Sequence, residues 1–241
     1  MKVTARAIPM LSDNYSWLLR EPGTGKVAIV DPAVAAPAMT AIEEMGGRLD
    51  LILLTHHHLD HIGGTAELVA RYGAKVVGSY GDASRLPQLD LAVLEGDSVA
   101  FGKAQLRVME VPGHTRGHIA YYIPEGGLLF PGDTLFSLGC GRLFEGSAED
   151  MFRAMRKFAA LPGETLVCAG HEYTEANAKF ALSVDPGNVA LRARVAEVTA
   201  LRAHGEPTLP VKLASEMKCN PFLRAVDAEE LGRLRAAKDV F

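Results

Sequence analysis

A short apolar run that ends in a cluster of histidines constrains the fold of this chain more than any other feature. Residues 51–54 are all apolar, and residues 55–61 then contain four histidines and one aspartate. Neutral imidazole and carboxylate groups are ligands for zinc and for harder divalent ions. Because α/β folds place reactive groups in loops at the ends of buried strands, we predict a metal site directly after a strand over residues 51–54.

The spacing inside the cluster favours two ions or an open coordination position. In an extended loop, side chains at i and i+2 point to the same side, so His56 and His58 can reach one ion. Asp60 and His61 follow as the chain turns into a helix, and they could reach a second ion. A closed structural zinc site needs only about four ligands, so this cluster has donors to spare. His57 lies between two candidate ligands, and we expect its side chain to point away from them.

Three further candidate ligands each follow a strand-like run and a glycine. They are His114 in Pro-Gly-His-Thr, Asp133 in Pro-Gly-Asp-Thr and His171 in Ala-Gly-His-Glu. Each is therefore expected to project from the end of a strand. We expect His118 to orient a ligand or to have a structural role, because metal-bound groups are usually oriented by such partners. Asp31 has the same candidate role, with a simple turn carboxylate as the alternative.

Strand-like runs alternate with helical segments up to residue 171, a pattern typical of an α/β layered fold. The predicted strands are residues 15–20, 26–31, 51–54, 75–78, 98–101, 105–111, 119–123, 128–131 and 165–169, and the predicted helices in this part are residues 36–45, 65–72 and 149–160. Beyond residue 171, residues 174–184, 189–204 and 227–238 all have the pattern of helices. We therefore predict a metal domain over residues 1–171 and a helical domain over residues 172–241.

Composition limits the classes of partner and compartment. The chain has 241 residues, 48% of them hydrophobic, which is enough for a sizeable core. Its formal net charge of −4 argues against nucleic acid or an anionic membrane as a partner, since both favour basic surfaces. The cysteines Cys140, Cys168 and Cys219 show no disulfide or zinc spacing, which indicates a reducing compartment. The sequence shows no export segment and no apolar run of transmembrane length, so we expect a soluble, cytoplasmic monomer.

The motifs together resemble a known enzyme family. Thr-His-x-His-x-Asp-His, followed by later Gly-His-Thr, Gly-Asp-Thr and Gly-His segments, is similar to the metallo-β-lactamase superfamily. Within it the chain resembles the glyoxalase II family, the hydroxyacylglutathione hydrolases, over essentially its whole length. Residues 13–17, 139–142 and 220–224 contribute to this closer resemblance. It implies a four-layer αββα sandwich with a small C-terminal all-helical domain that contributes to glutathione binding.

The resemblance also implies how the ligands are shared between two ions. His56, His58 and His114 would hold the first ion, Asp60, His61 and His171 the second, and Asp133 would bridge both together with a hydroxide. The metals would be zinc, with iron or manganese as alternatives, since histidine and aspartate accept all of these. The implied reaction is attack of the bridging hydroxide on a thioester, with Asp60 as a candidate for orienting the hydroxide.

The implied substrate is an S-(2-hydroxyacyl)glutathione, and the resemblance assigns residues that would bind it. Those positions are Arg142, Phe144, Tyr173, Arg235 and Lys238. Arg235 and Lys238 share one helix face and could converge on the glycine carboxylate of glutathione. Relatives often have lysine where this chain has Arg142, and some have tyrosine where it has Phe144. The lost hydroxyl could weaken binding by about 1 kcal/mol.

Three other functions remain open from the sequence. A glutathione persulfide dioxygenase on the same fold would use a single iron held by two histidines and one aspartate. Such relatives generally lack the long C-terminal helical segment, which this chain has together with all of the dinuclear ligands. A hydrolase for a lactone, β-lactam or phosphodiester is a further alternative, as is a metal-binding protein without catalytic activity.

Overall fold

The structure is a computed structural model that describes residues 2–241 and divides them into two units. The first unit consists of residues up to 110 together with residues 117–132. The second consists of residues 111–116 and 133–241. The predicted domain boundary after residue 171 is a different division of the chain, and it stays a prediction.

The first unit contains a six-stranded mixed sheet that ends beside the histidine cluster. Its strands are β1 (Thr4–Met10), β2 (Asn14–Arg20), β3 (Val27–Val30), β4 (Leu51–Leu53), β5 (Lys75–Ser79) and β6 (Leu91–Val93), in that order across the sheet. Strands β3 to β6 are parallel, whereas β1 and β2 are antiparallel to their neighbours. Asp31 and His56 therefore follow the carboxyl ends of adjacent parallel strands, where open α/β sheets bind ligands.

Helices cover this sheet because their apolar faces match its buried strands. Every residue of β3 and β4 is buried, as expected for strands covered on both faces. Helices α1 (Ala35–Glu44) and α3 (Thr65–Tyr72) contribute Ile42 and Leu68 to the core around Ile52. Helix α3 ends at Gly73, whose φ of +65° suits glycine. The short helix α2 (Leu59–Ile62) carries the last part of the histidine cluster.

A second, antiparallel sheet completes the first unit. Its strands within this unit are β7 (Ser98–Phe101), β8 (Ala104–Glu110), β9 (Ile119–Ile123) and β10 (Leu128–Phe130), each paired with the next. Three buried aromatic side chains join the two sheets. Trp17 of β2 meets Phe130 of β10 edge-on, with ring centroids 6.4 Å apart. The Tyr121 hydroxyl of β9 donates to the Leu54 carbonyl oxygen at 3.1 Å, directly before the histidine cluster.

Helices dominate the second unit. They are α4 (Ala148–Ala159), α5 (Thr174–Val184), α6 (Val189–Ala203), α7 (Leu213–Cys219), α8 (Pro221–Arg224) and α9 (Ala228–Asp239). Two short antiparallel pairs, β11 (Leu135–Phe136) with β12 (Gly139–Cys140) and β13 (Leu166–Val167) with β14 (Val211–Lys212), accompany them. Helix α4 begins with a capping box in which Ser147 and Asp150 satisfy each other's backbone N–H groups. The hydrophobic core of the second unit includes Leu138, Ala178 and Leu191.

The predicted elements are confirmed with small shifts at their ends. Predicted helices 65–72 and 174–184 have those bounds in the structure, and the long predicted strands are all present. The sequence patterns missed β1, β6, α7, α8 and the short strands β11, β12 and β14, and they gave no bounds for α2. Strand β1 was missed because Pro9 interrupts a run whose first four residues are exposed or half-buried.

Over residues 2–241, no helix is both long and apolar enough to cross a membrane. The three cysteines are free and buried. The expected monomeric state and cytoplasmic location stay predictions.

Candidate metal centre

The loop after β4 brings the donor atoms of His56 and His58 together. His56 Nε2 lies 3.0 Å from His58 Nδ1, and the ring centroids are 4.6 Å apart. The spacing argument for these side chains therefore agrees with their positions. His56 is fully buried, and its ring stacks on that of His118 with centroids 4.6 Å apart. His118 thus supports the ring of a candidate ligand.

A hydrogen-bond relay fixes the ring of His56. The Thr55 hydroxyl donates to Asp31 Oδ2 at 2.6 Å, and its oxygen lies 3.0 Å from His56 Nδ1. Because the hydroxyl proton is used on Asp31, the Thr55 oxygen accepts from His56 Nδ1. In the neutral imidazole, Nε2 then carries the lone pair, which is the form that binds a metal ion.

Asp31 orients His61 as well. Its Oδ2 lies 3.1 Å from His61 Nδ1, and its Oδ1 accepts from the Thr55 backbone N–H at 2.8 Å. The donor atoms of Asp31, His56 and His61 all lie within 4.8 Å of one another. Since the carboxylate accepts from the Thr55 backbone, the Thr55 hydroxyl and His61, it orients the ring of His61 directly and that of His56 through Thr55. Asp31 has a φ of +49°, an uncommon conformation for a residue with a side chain.

The donor chemistry of the first unit fits a cation beside Asp60 and His61. His61 Nδ1 donates to Asp31, because a carboxylate only accepts, so Nε2 of the neutral ring carries a lone pair. That lone pair faces Asp60 Oδ2 at 3.7 Å. An imidazole lone pair and a carboxylate oxygen are both metal-binding donor atoms, so a divalent ion could be held by the two groups.

In the second unit, the carboxylate of Asp133 likewise lies close to Nε2 atoms of histidine rings. Its Oδ2 lies 3.6 Å from His114 Nε2 and 3.3 Å from His171 Nε2. His114 Nδ1 lies 2.9 Å from the Arg142 carbonyl oxygen and must donate to it, so Nε2 carries the lone pair. All three side chains are buried. The histidine and aspartate donors of both units are thus suited to binding divalent metal ions.

His57 has a separate set of contacts. Its Nδ1 lies 3.0 Å from Oδ2 of the buried Asp82, which also pairs with Arg85.

Position 132 requires glycine because its backbone lies close to the histidine cluster. A Cβ at Gly132 would lie 2.4 Å from the Thr55 hydroxyl oxygen and 2.7 Å from the His118 ring, so a side chain there would displace the relay.

Two aromatic candidates for substrate binding lie against the candidate metal ligands of the second unit. The Tyr173 ring stacks on His171 with centroids 4.6 Å apart and planes at 7°. Phe144 is largely exposed, and its ring centroid lies 5.2 Å from that of His114. Both rings are thus placed to contact a molecule bound beside His114 and His171, although Phe144 has no hydroxyl to offer.

The basic candidates for substrate binding, Arg142, Arg235 and Lys238, differ in how exposed their side chains are and in the groups they contact. The Arg142 side chain is 64% exposed, and its Nε lies 3.7 Å from Asp239 Oδ1. Arg235 is only 4% exposed, and it donates to the Cys140 carbonyl oxygen at 2.8 Å and to Asp239 at 2.9 Å. Lys238 lies with Nζ 5.1 Å from the Phe180 ring centroid. Burial, and then the neighbouring Arg235, lowers the pKa of Lys238.

The loop that leads from Asp133 to Arg142 is held by a buried polar network that sequence reasoning missed. Glu216 accepts from the Ser137 hydroxyl at 2.9 Å and from the Leu138 backbone N–H at 2.7 Å. Asn220 donates to the carbonyl oxygens of Phe136 and Gly139. Burial raises the pKa of Glu216, while these donors act in the opposite direction. The only sequence signal was the family resemblance of residues 220–224.

Cys140 in the same loop is not an activated nucleophile. Burial raises the pKa of its thiol to about 11, although Arg235 acts in the opposite direction. The side chain is therefore a neutral thiol near neutral pH.

Comparison with known proteins assigns both parts of the chain. Residues 11–171 match the model of the metallo-β-lactamase superfamily, and residues 172–241 match that of the hydroxyacylglutathione hydrolase C-terminus. A hydroxyacylglutathione hydrolase of Acidiphilium cryptum is 53% identical over 238 residues, which cover 99% of this chain and 97% of that relative.

Solved structures share the fold. The crystal structure of ETHE1 from Myxococcus xanthus is 27% identical with a TM-score of 0.74, covering 97% of this chain and 90% of that one. The structure of TTHA1623 in a di-iron-bound form is 30% identical with a TM-score of 0.58, covering 70% of this chain and 91% of that one. The predicted metallo-β-lactamase fold with a helical C-terminal segment is confirmed. The chain belongs to the hydroxyacylglutathione hydrolase family of the metallo-β-lactamase superfamily.

Proposed function

We propose that this protein is a metal-dependent thioesterase that hydrolyses S-(2-hydroxyacyl)glutathione to a 2-hydroxy acid and glutathione. The expected substrate is S-D-lactoylglutathione, which yields D-lactate in methylglyoxal detoxification. The observation that carries the proposal is membership of the family over nearly the whole chain, including the C-terminal segment. The donor sets in both units are consistent with it.

We propose two ions, held as the family resemblance implies. His56, His58 and His114 would bind the first ion, Asp60, His61 and His171 the second, and Asp133 both. Zinc is the proposed metal, with iron or manganese as alternatives. The di-iron form of the related TTHA1623 supports a dinuclear centre. The lone pairs at Nε2 of His56, His61 and His114 support the same assignment, because each ring donates from Nδ1.

When bound, two divalent ions lower the pKa of a water molecule towards neutrality and polarise a carbonyl oxygen. The chain's own residues prepare the site for this chemistry. Asp31 and Thr55 hold the rings of His56 and His61 so that Nε2 is the nitrogen available to a metal ion. The Arg142 carbonyl oxygen does the same for His114. Asp60 is a candidate for accepting a hydrogen bond from the attacking group in addition to binding metal.

We propose that Arg142 and Lys238 bind the glycine carboxylate of glutathione, with Tyr173 and Phe144 beside the peptide. Arg142 is exposed, and Lys238 is half-buried beside Arg235, which lowers its pKa and favours pairing with an anion. Arg235, also a candidate contact, is engaged with the Cys140 carbonyl and Asp239, so its main effect is expected through the loop before Arg142.

A pair of assays separates the thioesterase from the dioxygenase. Metal-loaded protein should release free thiol from S-D-lactoylglutathione, and a chelator should stop the release. Oxygen consumption with glutathione persulfide should stay at background. Oxygen uptake that exceeds the thioesterase rate would favour the mononuclear iron enzyme instead, and faster cleavage of a lactone, β-lactam or phosphodiester would favour another hydrolase.

Lys238→Ala should raise KM for the thioester by about tenfold and leave kcat nearly unchanged, because one charge-assisted contact to a remote carboxylate is lost. Lys179→Ala is a matched control, since Lys179 lies on the exposed face of α5 in an ion pair with Glu175. An unchanged KM in Lys238→Ala would count against the carboxylate site.

The pH dependence of binding tests the same lysine. Since its pKa is lowered, Lys238 loses its charge at a lower pH than an ordinary lysine, and affinity should fall as pH rises through that pKa. Lys238→Arg keeps its charge throughout and should bind a non-hydrolysable S-alkylglutathione without this fall. Both proteins are titrated with the same ligand across the pH range. Ionisation of the ligand affects both affinity profiles equally, so the difference between them reports on Lys238. Parallel affinity profiles would contradict the assignment.

A further inference from the structure

We propose that Asn14 is a positioning residue that holds the carboxylate of Asp60 in its metal-binding orientation. The inference rests on the proposed function, because it assigns Asp60 as a ligand of the second ion. Asn14 belongs to the segment 13–17, which contributed to the family resemblance without any role in the proposed reaction.

The backbone delivers Asn14 to this position through a tight turn. Strands β1 and β2 pair from Met10–Asn14 onwards, and Leu11 in the connecting turn has a φ of +51°. Asn14 is therefore the first residue of β2, and it is 6% exposed. Ser16 lies two residues further along the same strand face and donates to the Asp31 carbonyl oxygen at 2.6 Å. One face of β2 thus supports both Asp60 and Asp31.

The amide of Asn14 makes a two-point contact with Asp60. Its Nδ2 lies 3.1 Å from the Asp60 carbonyl oxygen and 3.0 Å from Asp60 Oδ2. An amide nitrogen has two hydrogens, so it can donate to both oxygens at once. Bonding to the backbone and the side chain of one residue fixes the rotation of that side chain. The same Oδ2 faces His61 Nε2 at 3.7 Å, so the contact selects the rotamer that aims the carboxylate at the ligand ring.

Asp60 needs such a partner more than the neighbouring ligands do. Its side chain is 41% exposed, whereas that of His61 is 1% exposed and its ring is held by Asp31. Helix α2 is only four residues long and begins directly before Asp60, so regular helix packing restrains this residue weakly. A neutral donor also suits a carboxylate that binds metal, because it orients the group without neutralising its charge. Partners of this kind typically change metal affinity or activity by about 10–100-fold.

The test compares Asn14→Ala and Asn14→Asp with wild type, and Ser12→Ala is the control. Ser12 lies in the same turn, is exposed and donates to Asp13. Zinc affinity is measured by competition with a chromophoric chelator, and thermal unfolding of metal-free protein is measured in parallel. In Asn14→Ala, we expect the affinity for one ion to fall by about 10–100-fold, kcat to fall with KM unchanged, and metal-free Tm to stay close to that of Ser12→Ala.

Asn14→Asp keeps the shape of the side chain and carries the test if the alanine variant does not fold. It would place two carboxylates about 3 Å apart without a donor between them, so we expect at least the same loss of zinc affinity. Wild-type affinity for both ions in either folded variant would overturn the inference, as would a loss of kcat matched by a fall in metal-free Tm with affinity unchanged.

The two proposals fail in different ways. If wild-type protein binds zinc but releases no thiol from S-D-lactoylglutathione, the proposed function fails while the affinity measurement still reports on Asn14. If wild type is active and Asn14→Ala binds zinc as wild type does, the positioning role fails and the thioesterase stands.

Discussion

Replacement of Asp133 by alanine should lower kcat for thioester hydrolysis by at least about 1000-fold. Asp133 Oδ2 faces the lone pair of His114 and the ring of His171, and it is the proposed ligand of both ions. Its loss should release metal or leave the ions without their shared carboxylate. Metal ions contribute several kcal/mol to transition-state stabilisation in hydrolases, and about 4 kcal/mol corresponds to about 1000-fold in rate.

The measurement combines kcat with elemental analysis of the purified variant. Glu125→Ala is a suitable control, because Glu125 is an exposed carboxylate in the turn between β9 and β10. If Asp133→Ala kept both its metal content and a kcat within about tenfold of wild type, Asp133 would not be the shared ligand.

Replacement of Glu216 by alanine should lower the free energy of unfolding by about 3–5 kcal/mol. Glu216 is completely buried, and three donors reach its carboxylate: the Ser137 hydroxyl, the Leu138 backbone N–H and the Asn220 amide. Truncation leaves these donors buried without their acceptor, and each such group costs about 1–3 kcal/mol. For a chain of this length, the expected loss corresponds to a fall in Tm of about 10 °C.

Thermal and denaturant unfolding of the metal-free protein measure this effect without interference from zinc. Glu164→Ala is the matched control, since Glu164 is exposed and forms a surface ion pair with Lys212 that contributes little stability. Equal stability of Glu216→Ala and Glu164→Ala would show that the network does not hold the loop from Asp133 to Arg142.

The donors of the first unit could be predicted because their chemistry is local in sequence. His56 and His58 are two residues apart after an apolar strand, so strand geometry alone places them on one side. The sequence left two alternatives for Asp31, a residue that orients a metal ligand or a simple turn carboxylate, because a carboxylate after a strand is also common in turns. Its bonds to Thr55 and His61 join residues 24 and 30 positions away, a distance over which no periodic pattern extends.

The supporting residues could not be predicted for the same reason. Asn14 reaches Asp60 across 46 positions, and Glu216 reaches Leu138 across 78. Both are polar residues to which no spacing argument assigns a role, and only the packed structure shows that they are buried. Leu138 has a φ of +58°, which no sequence rule assigns to leucine.

The helix that carries Arg235 and Lys238 shows the limit of spacing arguments. A separation of three residues predicts one shared face, but it says nothing about how deeply that face is buried. Arg235 lies against the Phe222 ring and donates to a backbone carbonyl, whereas Lys238 keeps a partly solvated charge. The proposed substrate contacts therefore divide into side chains that solvent reaches and one buried residue, Arg235, that supports the loop.

A zinc titration of the metal-free protein tests the dinuclear thioesterase most directly. Thiol release from S-D-lactoylglutathione is followed as zinc is added in steps, with bound metal measured at each step. We expect the rate to rise until about two molar equivalents are bound and then to remain constant. No thiol release at any zinc content, or a maximal rate at about one bound equivalent, would contradict a dinuclear thioesterase.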